Sequence, residues 1–87
     1  MALSLVQHKV ADFDAWRQVY DSVAGLQASG GVTRESVHRM ADDPNNVLVL
    51  HYFDSVDAAR AFFANPELAD AMRRGGVQGE PRIEFYE

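Results

Sequence analysis

Val47-Leu48-Val49-Leu50-His51-Tyr52-Phe53 is the most apolar stretch of the chain, and its two parities constrain the sheet it can join. It is rich in β-branched and aromatic residues and is bounded by turn residues, which predicts a strand buried on both faces. Leu48, Leu50 and Tyr52 make one face; Val47, Val49, His51 and Phe53 make the other. A half-solvated antiparallel strand would alternate with polar residues, and this one does not. Helices can cover one of its faces. The second needs another cover.

Upstream, Asp42-Asp43-Pro44-Asn45-Asn46 is turn chemistry throughout, because Asp and Asn bond their own backbone and proline presets φ. Before it, Val32 to Met40 alternates as a strand, so the two form a hairpin. Leu3 to Val10 is a further strand and repeats the double parity, with Leu3 and Leu5 on one side and Val6 and Val10 on the other. Asp12 then precedes Phe13, Trp16, Val19, Tyr20, Val23 and Leu26, whose gaps of three and four make one helical stripe. Ser29-Gly30-Gly31 ends that helix. Downstream, Asp54-Ser55 opens a second helix with Val56, Ala59, Phe62 and Phe63 inward. Asn65-Pro66 interrupts it, and Gly75-Gly76 stops it. After Pro81, Ile83 to Tyr86 is a last short strand.

The order is strand, helix, strand, strand, helix, strand. It predicts an α+β fold of ferredoxin-like βαββαβ type: a four-stranded antiparallel sheet with helices on one face, in a single domain spanning residues 1–87. The apolar open face implies a homodimer, because an exposed face of that kind invites association.

Composition excludes several classes. The net charge is −5, and of the eight basic residues only Arg73 and Arg74 are adjacent, so nucleic acid is not an expected partner. There is no cysteine, hence no disulfide and no thiolate site, which fits a reducing cytoplasm. Met1 is followed by Ala-Leu-Ser rather than a basic segment, and no apolar run approaches a membrane span. Neither export nor a membrane partner is expected, and the expected location is cytoplasmic.

The segments Val10-Ala-Asp-Phe-Asp-Ala-Trp16, Val37-His-Arg-Met-Ala-Asp-Asp-Pro-Asn45, Phe53-Asp-Ser-Val-Asp-Ala-Ala59 and Asn65-Pro-Glu-Leu68 carry a resemblance over nearly the whole chain. They resemble the dimeric α/β-barrel superfamily, and within it the antibiotic-biosynthesis-monooxygenase and small bacterial cyclase-like proteins. The resemblance implies two sheets packed face to face as a barrel, with a pocket in each protomer between its own sheet and helices. It also implies departures. Phe62, Phe63, Leu68 and Met72 stand where haem-degrading members use a tryptophan and a histidine. Phe62 and Leu68 stand where plant polyketide cyclases use a tyrosine and a histidine. Of the residues used by quinone-forming monooxygenases, only a tryptophan has a loose counterpart, Trp16.

His8, His38 and His51 are the candidates for chemistry, since imidazole moves protons near neutral pH. His8 shares a face with Val6 and Val10. By the resemblance, Val49, His51 and Phe53 line the same side of the third strand. A diagonal pairing puts His8 about 7–8 Å from His51. Arg34, Ser36 and His38 share a parity, and a simple hairpin register brings them alongside. Trp16 and Tyr20 project over this surface, with Phe62 on the second helix.

The functional reading is a pocket under an aromatic lid. His51 or His8 would abstract a proton from an acidic carbon or phenol, and Arg34 would hold the resulting enolate. The predicted activity is a cofactor-free cyclase or monooxygenase acting on a small apolar, aromatic or polyketide-like molecule. The alternative is a non-catalytic small-ligand-binding or stress-related dimer. On the bland reading, His38 is a solvated edge-strand residue, His8 and His51 are hydrogen-bonded core histidines, and Trp16 and Tyr20 are core. No metal site is expected, because the histidines lack ligand spacing and a carboxylate partner.

Overall fold

Asp12, Ser55 and Asn65 each end an extended segment and start a helix, as their side-chain chemistry requires. The Asp12 carboxylate accepts from the Ala15 amide (3.1 Å), Ser55 Oγ from Ala58 (3.1 Å) and Asn65 Oδ1 from Glu67 (2.9 Å). The computed structural model describes Met1 to Glu87. Its elements are β1 (Ala2–Val10), α1 (Phe13–Ser22), α2 (Ala24–Ser29), β2 (Arg34–Met40), β3 (Asp43–Phe53), α3 (Val56–Phe63), α4 (Pro66–Arg74) and β4 (Val77–Tyr86). The predicted order holds, with each helical region divided in two. Asn65-Pro66 makes the second division as expected. The first falls at Val23 (φ −105°, ψ 21°) inside the continuous apolar stripe, where Ser22 Oγ bonds back to the Val19 carbonyl at 2.6 Å. Such a bond competes with helix continuation.

The sheet order is β2-β3-β1-β4, antiparallel throughout. On one face Ala2, Ser4, Val6, His8 and Val10 of β1 and Val47, Val49, His51 and Phe53 of β3 are all buried. The helices cover this face through Trp16, Ala59, Phe62 and Leu68, which complete two apolar clusters. Val6, Val10, Trp16, Val47 and Val49 form one; Ala2, Phe53, Ala59, Phe62 and Leu68 form the other. Phe63 packs against both. The opposite face carries Leu3, Leu5, Leu48, Leu50 and Tyr52, each half-buried within the protomer. No helix is long and apolar enough to cross a membrane.

Two boundaries differ from the sequence reading. The predicted turn at Asp42–Asn46 shrinks, and Asp43 to Asn46 join β3. Their side chains find distant partners, and Asp43 Oδ1 also accepts locally from the Asn45 amide (3.1 Å). Asp43 pairs with Lys9 (2.9 Å), Asn46 accepts from Gln7 (2.6 Å), and Asn45 Oδ1 accepts from the Phe13 amide at the start of α1 (3.0 Å). The last strand begins at Val77, not Ile83. Gly79 adopts a left-handed φ of 69° where the β1 register shifts, and Pro81 is tolerated because β4 is an edge strand.

Candidate functional site

His8 and His51 both face the helices, each 4% exposed, and both line a cavity between the sheet and the helices. Its volume is about 40 Å³, and eleven of its fourteen lining residues are hydrophobic. Val6 and Val49 form the floor, Trp16 and Tyr20 lie along α1, and Phe62, Phe63, Leu68 and Met72 close it from α3 and α4. Two glycines let the walls approach. A β-carbon at Gly30 would stand 2.4 Å from the Phe62 ring, and one at Gly75 would stand 3.0 Å from Trp16.

The histidines are not diagonal neighbours. In the β1–β3 register His8 lies opposite Val47, and His51 lies opposite Ser4. Four residues of β3 therefore separate the two positions, about 13 Å along the strand. An aromatic row spans the gap. His8 meets Trp16 edge-on (5.6 Å between centroids), Trp16 stacks on Tyr20 (4.9 Å), and Tyr20 lies over His51 (6.2 Å). Trp16 and Tyr20 are four residues apart on α1, so they share a face of the helix and both point at the sheet.

Hydrogen bonding separates the two imidazoles. Neither nitrogen of His8 has a protein partner. His51 Nε2 lies 3.3 Å from the Tyr20 hydroxyl, while its Nδ1 is buried and unpartnered. Ser4 Oγ, on the strand position opposite His51, is also buried and unpartnered. The Tyr20 hydroxyl also donates to Glu35 Oε2 at 3.1 Å. Burial disfavours the charged imidazolium and lowers both histidines from 6.5 to about 4, so both are neutral at physiological pH. Burial, and then the nearby Glu35 carboxylate, push the Tyr20 phenol well above its usual value.

No protein-family profile matches the sequence, and no curated protein sequence does. Solved structures do match. A protein from Deinococcus radiodurans named as a candidate antibiotic biosynthesis monooxygenase superposes with a TM-score of 0.76 at 20% identity, over 100% of this chain and 91% of that one. A Bordetella bronchiseptica protein of the same description gives 0.83 at 11% identity, over 99% and 94%. SnoaB, a cofactor-independent oxygenase from Streptomyces nogalater, gives 0.80 at 16% identity, over 99% and 90%. The chain shares the fold of these three proteins.

Within that fold, Trp16, Tyr20, Val49, Phe62, His8 and His51 all reach one cavity. Phe53 does not line it. It is fully buried behind His51, with ring centroids 6.4 Å apart. Arg34, Ser36 and His38 are on the wrong side of the sheet. They pair with Tyr52, Leu50 and Leu48, and residues directly opposite in an antiparallel ladder point to the same face. Arg34 lies over the Tyr52 ring (5.0 Å), and His38 meets Ser36 Oγ (3.0 Å). Arg34 therefore cannot hold an enolate in this cavity. The residue of β2 that does reach the site is Glu35, opposite His51. In the sequence Glu35 has the parity of Val37, and only the register that sets Val37 against Val49 puts that parity on the helix side. No three His, Asp or Glu side chains gather as metal ligands.

Proposed function

We propose that the chain is a cofactor-independent, single-domain enzyme acting by proton abstraction on a small apolar substrate, aromatic or polyketide-like, with His51 as base. One observation carries this reading: two neutral imidazoles with unpaired nitrogens border an apolar cavity beneath stacked Trp16 and Tyr20. A neutral imidazole kept from its usual partners can accept a proton from an acidic carbon or phenol. The resulting enolate either attacks a carbonyl of the same molecule, closing a ring, or delivers electrons to dioxygen as a second substrate. His8 lies too far along the strand to act on the same atom. It contacts the far end of the ligand.

A cavity of about 40 Å³ holds roughly one water, and an aromatic ring needs several times that space. Substrate therefore enters by displacing part of the wall, which includes Val23, where α1 gives way to α2. The second reading, in which the pocket only binds, needs the same displacement, so the volume does not separate the two. The test is a panel of enolisable polyketones and polycyclic phenols. Quenching of Trp16, the sole tryptophan, reports binding, and mass spectrometry with oxygen uptake reports turnover. On the enzyme reading, His51→Ala lowers turnover by about 10²–10⁴-fold. Undiminished turnover in the His8→Ala/His51→Ala double variant sinks the base assignment. Quenching without turnover across the panel supports the binding-only reading.

The same reading includes a cytoplasmic homodimer built through the open sheet face. Leu3, Leu5, Leu48, Leu50 and Tyr52 support it, because these side chains still expose apolar surface. Glutamate at both Leu5 and Leu50 is expected to yield a monomer in sedimentation velocity where the parent chain sediments as a dimer. A monomeric parent at micromolar concentration contradicts the dimer.

A further inference from the structure

Glu35 sits on the edge strand β2, exposed to solvent, yet its carboxylate is one hydroxyl away from a buried imidazole. The Tyr20 hydroxyl has a single proton to give; Glu35 Oε2 at 3.1 Å and His51 Nε2 at 3.3 Å are the acceptors in reach, while the buried Gln27 side chain acts on the phenol oxygen as a donor. An ionised carboxylate can only accept, and hydrogen bonds to charged acceptors are about twice as strong as neutral ones. The tyrosine proton therefore belongs to Glu35. The phenol oxygen is left as an acceptor facing His51, so the 3.3 Å contact is a bond only if Nε2 carries the imidazole proton.

We propose that Glu35 is a positioning residue that, through Tyr20, holds His51 in the Nε2–H tautomer and leaves Nδ1 as its basic nitrogen. His51 Nδ1 is the nitrogen that is buried without a partner. The same three groups form a route from the buried ring to solvent. When Nδ1 takes up a proton, Nε2 passes its own to the phenol oxygen as the phenol proton moves to the Glu35 carboxylate. The imidazole is then neutral again, and the negative charge given up by Glu35 resides on the substrate enolate. The use of Nδ1 as a base rests on the enzyme reading above; the tautomer itself does not.

The test is long-range proton–nitrogen NMR of histidine-labelled protein above pH 7, where His51 is neutral and carries one ring proton. It needs no substrate, so it stands or falls separately from the search for an activity. The parent protein is expected to show Nε2–H as the dominant form of His51. Glu35→Gln, whose amide can donate to the phenol as well as accept from it, is expected to shift the ratio toward Nδ1–H by about fivefold or more. Glu35→Ala is expected to do the same. Because Glu35 is exposed, neither variant should alter the unfolding midpoint appreciably, so a tautomer change at unchanged stability separates positioning from scaffolding. A parent protein in the Nδ1–H form overturns the proposal. So does a ratio that stays at the parent value in both Glu35 variants, since burial alone would then set the tautomer.

Discussion

Lowering the pH from 6.5 to 4 is expected to remove much of the protein's stability, and the loss is expected to trace to His8 and His51. Each imidazole titrates at about 4 in the folded chain against 6.5 when free, because burial disfavours its charged form. The unfolded chain therefore binds protons in this window that the folded chain refuses, and stability falls as pH falls. A drop from 6.5 to about 4 corresponds to about 2–3 kcal/mol per imidazole. Two of them amount to a large part of the roughly 5–15 kcal/mol that holds a typical domain together. Two surface carboxylates act mainly below this window. Asp43, bonded by Lys9, and Asp70, bonded by Arg74 and Arg73, are both held below 3.8, so their contribution is lost only at still lower pH.

Urea unfolding at a series of pH values, read by circular dichroism, measures the effect. The double variant His8→Leu/His51→Phe is expected to flatten the curve between pH 6.5 and 4. It should also be at least as stable as the parent at pH 8, because it removes three buried nitrogens with no protein partner. Phenylalanine suits position 51, which already packs among Phe53, Phe62 and Phe63. A parent protein whose stability is level across that range would show that the imidazoles gain solvent or partners when protonated.

The second large effect is expected at Trp16. It is 5% exposed and joins three contacts: edge-on to His8, tilted against Phe13 and stacked on Tyr20. Trp16→Ala is expected to cost about 3–5 kcal/mol, from lost burial and from the hole left where the indole stood. Trp16→Phe, which retains a ring over Tyr20, is expected to cost clearly less. Unfolding at pH 8, where both histidines are neutral, isolates the packing term. A loss below about 1 kcal/mol in the alanine variant would mean that α1 slides inward to refill the space. An enlarged cavity has a further consequence: the alanine variant should take up small apolar probes that the parent, with about 40 Å³, excludes.

Much of this site is written in local pattern. Parity grouped His8 with Val6 and Val10, and His51 with Val49 and Phe53, because side chains alternate strictly along a strand, while the resemblance put the His51 face on the helix side. The spacing of Trp16 and Tyr20 put both on one helical face. The caps at Asp12, Ser55 and Asn65 marked helix starts, since each is a single side chain meeting its own nearby amides. What local pattern does not contain is registration. His8 and His51 share a face but stand four residues out of step, because the β1–β3 ladder sets Val6 against Val49. The hairpin turn draws in to Ala41-Asp42 because Asp43, Asn45 and Asn46 bond to residues far along the chain.

By itself, then, the order of residues determined the element sequence, the two faces of the sheet and the identity of the side chains bound for the core. Each of these depends on periodicity and on contacts within a few positions. Only the tertiary structure decided that Glu35, rather than Arg34, Ser36 or His38, approaches His51, and that the cavity is small. Those outcomes depend on which strand residues come opposite each other and on how large rings from separate helices fill one space. Both are set by distant partners that local spacing does not encode.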